Sequence, residues 1–145
     1  MDTGNTAWVL ASAALVAFMT PGLAFFYGGM VRGKHVLGML MQNVFAMGVI
    51  SVVWAIVGFS LAFSGGNRFV GGLDLSFLTG LGRAQSTVPG LALTVPALAF
   101  VAYQMMFAVI TPALIAGAFA ERMRFAGYLM FIGLLSVLVY APVTH

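Results

Sequence analysis

Four long stretches almost free of charge restrict what this chain can fold into. They run from Ala7 to Val31, Val36 to Phe63, Leu91 to Ala120 and Phe125 to Val143. Each is about 19 to 30 residues, and about 20 apolar residues in a helix cross a bilayer. The nine charged residues lie at the N-terminus, at Asp2, and in the three intervals between the runs: Arg32 and Lys34; Arg68, Asp74 and Arg83; Glu121, Arg122 and Arg124. Hydrocarbon offers no partner to a backbone N–H or C=O, so a segment of this kind must satisfy its own hydrogen bonds as a helix. The 145 residues are 62% hydrophobic and 6% charged, far from the composition of a soluble domain. The expectation is an all-α membrane protein with about four transmembrane helices, residues 1–145 forming part of one membrane domain.

Local signals refine each span. Pro21, inside the first run, lacks an N–H and frees the carbonyl of Ala17 one turn earlier, so a bend is expected there, with Thr20 or a neighbouring helix satisfying the carbonyl. The first run carries Asp2 where a secretion signal has positive charge, and it is about twice the length of a signal's apolar segment, which predicts a retained helix. Between the second and third runs, Ser64 to Gly90 is rich in glycine and polar residues and reads as an exposed loop, with a short interfacial helix over Leu73 to Leu81. At helical rise, Leu91 to Ala120 reaches about 45 Å, which predicts strong tilt or an overhang. The fourth run stops at His145 as a cut fragment would.

Arg32, Lys34, Arg122 and Arg124 fall on one side of the membrane and Arg68 and Arg83 on the other. The positive-inside rule makes the first side cytoplasmic and the N-terminus external, in a multi-pass protein of the cell membrane.

Composition also excludes functions. A net charge of +3 from so few residues forms no basic stripe for nucleic acid. Without cysteine, and with only His35 and His145 as histidines, no metal site, thiol chemistry or resident cofactor is expected. No nucleophile paired with a base, carboxylate pair or phosphate-cradling loop is present, so the chain is not read as an enzyme.

One helix face mixes aromatic and hydrogen-bonding groups. Phe100, Tyr103, Gln104, Phe107 and Thr111 recur at spacings of three and four in the third run. A glutamine amide has no partner in lipid, so this face is expected to look into the protein; stapling two helices together is an equal use for Gln104. An aromatic ring presents a negative quadrupole to a small cation, worth about 0.5 to 2 kcal/mol, which makes Phe107 the candidate ring. Glu121, between Gly117 and Arg124, reads as a neutralised structural carboxylate. His35 reads as a solvated loop histidine rather than a proton relay, and the terminal His145 is equally unpromising for such a role.

Two blocks carry a resemblance. Phe18 to Lys34 reads FMTPGLAFFYGGMVRGK and closely resembles the first-helix motif of the ammonium transporter family. Ala102 to Ala108 (AYQMMFA), with Ile110, Thr111 and Gly117 to Phe125 (GAFAERMRF), is similar to that family's third helix and the loop after it. The resemblance covers essentially the whole chain. It implies an eleven-helix fold built of two inverted repeats, assembled as a homotrimer, of which this chain carries the first helices. It further implies ammonium as substrate, recruited at an outer aromatic site, stripped of water and a proton, and conducted through a narrow hydrophobic pore within each subunit.

By that resemblance Phe107 matches the phenylalanine that helps form the outer recruitment site and gates the pore mouth. Tyr103, commonly phenylalanine in the family, is its neighbour on the helix. Phe26 matches an aromatic near the inner end of the pore, Gln104 is pore-adjacent, and Glu121 and Arg122 match an interface motif without a transport role. The family's recruitment tryptophan and serine, the buried aspartate near them and the twin pore histidines fall beyond His145, so this chain is expected not to complete the pore alone. A cytoplasmic regulatory partner is a further possibility the resemblance carries. Two rival readings remain open: an ammonium-sensing membrane module, and a structural membrane subunit that binds no small molecule.

Overall fold

The computed structural model describes residues 2–81, 87–88, 91–92, 94–120 and 122–145. Four helices in it are long and apolar enough to cross a membrane: α1, Thr3–Met30; α2, Gly33–Phe63; α3, Ala97–Phe119; and α4, Phe125–Thr144. The all-helical fold is therefore as the sequence predicts, with one addition: Thr87–Val88 (β1) and Leu91–Ala92 (β2) pair antiparallel ahead of α3.

That pair corrects the third span. α3 begins at Ala97, directly after Pro96 at its N-cap, not at Leu91. Apolar composition runs on through Leu91 to Val95, but proline suits the very start of a helix rather than its interior. With 23 residues the helix is about 35 Å long, so the predicted overhang disappears. The interfacial helix expected over Leu73–Leu81 is also smaller. Only a 3-10 turn, Ser76–Leu78, forms, and Phe77 and Leu78 both have φ of 56°, a left-handed conformation that ends helical propagation. Arg83, Gln85 and Pro89 of the predicted loop, and Glu121, lie outside the described residues.

α1 passes through Pro21 as one helix. Thr20 is fully buried there, yet its hydroxyl makes no hydrogen bond, so it does not satisfy the Ala17 carbonyl as the sequence suggests. α2 and α4 each contain a five-residue π-helical turn, at Trp54–Gly58 and Ser136–Tyr140. In α4 the widened turn precedes Pro142, whose ring would otherwise strike the carbonyl four residues back. In α2, a Cβ on Gly58 would stand 3.0 Å from the Trp54 ring, so glycine lets the indole lie over its own helix.

The two π turns meet in the core. Trp54, fully buried, packs edge-on against Phe59 (6.0 Å between ring centroids), Phe63 (6.3 Å) and Tyr140 (5.9 Å). Edge-to-face geometry is the favoured arrangement of aromatic pairs. Phe63 continues the cluster to Phe100 of α3 at 5.2 Å.

The alternating course of the helices gathers the chain's polar residues at two ends. At one end the Asp2 N–H donates to the Thr94 carbonyl (2.9 Å), and the Asp2 carboxylate caps α1 by accepting from the Asn5 N–H (3.0 Å). Ser60 fastens the following loop, donating to the Gly72 carbonyl and accepting from the Leu75 N–H. His145 reaches this end too, its ring nitrogens 3.0 Å from the Ala62 carbonyl and 3.1 Å from the Asn67 carbonyl. It ties the end of α4 to the end of α2 and to the loop that follows. The opposite end carries Arg32, Lys34, Arg122 and Arg124.

Candidate functional site: an aromatic face on α3

α3 is held on two sides through its own carbonyls. The Tyr27 hydroxyl of α1 donates to the Leu114 carbonyl and the buried Tyr128 hydroxyl of α4 to the Pro112 carbonyl, both at 3.1 Å. A tyrosine in an apolar setting needs such an acceptor for its O–H. Tyr27 also lies against Gly117, where an added Cβ would come within 2.7 Å of its ring. Glycine here sets the close approach of α1 to α3. Sequence reasoning missed both tyrosine ties; an O–H within an apolar run was the available signal.

On this scaffold Tyr103 and Phe107 form an edge-to-face pair, centroids 5.0 Å apart at 71°. Phe107 is 37% exposed; Tyr103 and Gln104 are half-buried beside it. The Thr111 hydroxyl turns back to the Phe107 carbonyl at 2.9 Å, holding the helix one turn below the ring. Phe100, one turn earlier on the same continuous helix, packs on Phe63 at the C-terminal end of α2. The rest of the face is Tyr103, Gln104, Phe107 and Thr111. It carries dipoles and ring quadrupoles but no formal charge. Such a surface attracts a weakly hydrated cation without trapping it as a carboxylate would.

Phe26 does not join this group. It is 60% exposed on α1 and packs edge-on against Tyr27 at 5.6 Å. Tyr27 meets α3 at Leu114, about two turns nearer the basic end than Phe107. The two candidate aromatics therefore stand at different depths on neighbouring helices. Among the described residues no cluster of three histidine, cysteine, aspartate or glutamate side chains offers a metal site.

Comparison with known proteins then decides the kinship. The model of the Ammonium Transporter Family matches residues 7–145. The chain belongs to the ammonium transporter family. It is 49% identical over 158 residues to the ammonium transporter of Mycobacterium tuberculosis strain H37Rv, a match covering 99% of this chain and 33% of that protein. The ammonium transporter of Bacillus subtilis is 47% identical over 145 residues, covering 100% of this chain and 35% of the relative. This family member thus spans about a third of the length of the curated relatives it matches. Among solved structures, Candida albicans Mep2 superposes with a TM-score of 0.87 at 32% identity, over 99% of this chain and 31% of Mep2. A structure described as a Sensor Amt Protein superposes at 0.86 with 25% identity, over 97% of this chain and 33% of the other. Family and fold agree with the resemblance carried by the first and third helices.

Proposed function

We propose that this chain is part of the membrane domain of an ammonium transporter, and that the complete protein recruits ammonium at the outer aromatic face and passes ammonia through a hydrophobic pore within each subunit. The observation that carries the proposal is the Tyr103–Phe107 pair: two rings at 5.0 Å on a partly exposed, uncharged helix face. Phe107 receives the cation on its quadrupole and gates the pore mouth. Tyr103 orients that ring by its edge contact, Gln104 supplies an adjacent hydrogen-bonding group, and Phe26 stands near the inner end. The named relatives, ammonium transporters at 47–49% identity, support the substrate. In this reading the end bearing Arg32, Lys34, Arg122 and Arg124 is cytoplasmic, and the N-terminus faces outside the cell membrane. The complete protein works as a homotrimer, open to a cytoplasmic regulatory protein, and transports without an enzymatic step or cofactor.

The match to a sensor of the same fold favours one second reading, ammonium sensing by the same face. Methylammonium uptake into transporter-deficient cells tests the proposal, comparing residues 1–145 with a chain continued to family length. Uptake by the longer chain alone is the expected outcome. Uptake by neither, with correct insertion, refutes transport and favours sensing or a structural role.

A further inference from the structure

The two π turns share a feature beyond the aromatic core that they form. Trp54 opens the turn in α2, and Ser136 opens the turn in α4. Each carries a buried polar atom without a hydrogen bond to any described residue: the indole Nε1–H of Trp54, fully buried, and the hydroxyl of Ser136, 3% exposed. A polar group left alone in an apolar interior is costly, and native interiors pair nearly all such groups with protein or with water. Widened helical turns are also frequent at places with a task of their own.

Packing brings the two groups to one seam. α2 and α4 run in the same direction, and two ring contacts fix their register: Phe45 meets Phe125 at 5.2 Å, and Trp54 meets Tyr140 at 5.9 Å. Ser136 lies between Phe125 and Tyr140, so it stands just before the level of Trp54. It is four residues before Tyr140 and on the same face of α4, the face that touches the indole. Helix side chains lean toward the N-terminus of their helix, which carries the Trp54 ring back toward the level of Ser136. The groups do not bond each other, since each lacks a partner. The indole can only donate, whereas the hydroxyl donates and accepts. A molecule that accepts and donates in turn joins them.

We infer that Trp54 and Ser136 bind one internal water between the π turns of α2 and α4. The water accepts from the indole Nε1–H and donates to the Ser136 hydroxyl oxygen. Water is small, uncharged and hydrogen-bonds in both senses, which suits a buried seam with two polar groups. An ion there would be desolvated without a counter-charge. The site fixes the tilt of the indole, and so positions the ring that Phe59, Phe63 and Tyr140 share. The inference rests on these buried groups and not on the transport reading.

Proton-detected solid-state NMR of the family-length protein in lipid, with isotope-labelled tryptophan, reads the site. The Trp54 indole signal is assigned by its loss in Trp54→Phe. The expected result is a cross-peak from the indole N–H proton to water, present in buffer free of ammonium. It is lost in Ser136→Val, whose methyl groups fill the site, and weakened in Ser136→Ala. The Trp54 indole shift moves in both Ser136 variants while the other tryptophan signals stay in place, which separates loss of the water from loss of the fold. A density map of the parent protein fine enough to show waters is expected to place one oxygen within hydrogen-bond reach of both Nε1 and Oγ. No water cross-peak in the parent protein, or one unchanged in both Ser136 variants, overturns the inference. So does a map in which Nε1 and Oγ bond each other directly, or a cross-peak that requires added ammonium, which would make this a substrate site.

Discussion

At Gly117 the bundle leaves no room for a side chain, since a Cβ there would stand 2.7 Å from the Tyr27 ring. The ring cannot swing freely away, because its hydroxyl is tied to the Leu114 carbonyl. Gly117→Ala is therefore expected to cost about 1 to 3 kcal/mol, as overpacking does, and to lower the thermal midpoint of the family-length protein in detergent. Tyr27→Phe keeps the ring and loses only the hydrogen bond, about 0.5 to 1.5 kcal/mol. A Gly117→Ala effect no larger than that of Tyr27→Phe would mean the contact is slack. The sequence places Tyr103, Phe107 and Thr111 on one face correctly, since helical spacing alone decides that. It does not tell that Phe100 meets Phe63, because which neighbour a face touches depends on packing. Nor does it reveal the role of Gly117, which inside the string GAFAERMRF looks like any small residue of a membrane helix.

Elements are legible wherever composition changes sharply at their ends. α1, α2 and α4 fall within a few residues of the apolar runs because charge and glycine flank them. α3 does not, since hydrophobicity cannot separate the stretch 91–95 from the helix that follows; Pro96 is the only local boundary signal. The π turns are invisible to composition altogether. Their joint core at Trp54 gives a prediction for the element scale: Trp54→Ala removes the ring that Phe59, Phe63 and Tyr140 all touch. A loss of about 3 to 5 kcal/mol is expected, as for other large aromatics deleted from a core. Trp54→Phe should recover part of that loss, in thermal or denaturant unfolding. If Trp54→Ala unfolds like the parent chain, the parts of α2, α3 and α4 that meet around Trp54 are held by something else.

For the whole molecule, the alternating helices put Lys34 at one end and Arg68 at the other, and the chain has no cysteine to interfere. Single cysteines introduced at the two positions are expected to react with a membrane-impermeant maleimide from opposite sides, Arg68→Cys from outside whole cells and Lys34→Cys only after permeabilisation. The reverse pattern inverts the proposed orientation. The four-helix course is legible because charge is confined to the turns, whereas pore geometry is not, because in the proposed reading the pathway lies between this segment and the rest of the family-length chain. The central claim rests on Phe107 as the ring that receives the cation. Its most direct test is the concentration dependence of methylammonium uptake by the family-length Phe107→Ala protein at matched membrane abundance. A cation–π contact of about 0.5 to 2 kcal/mol predicts a half-saturating concentration raised about 2- to 30-fold; an unchanged concentration dependence at unchanged abundance contradicts the account.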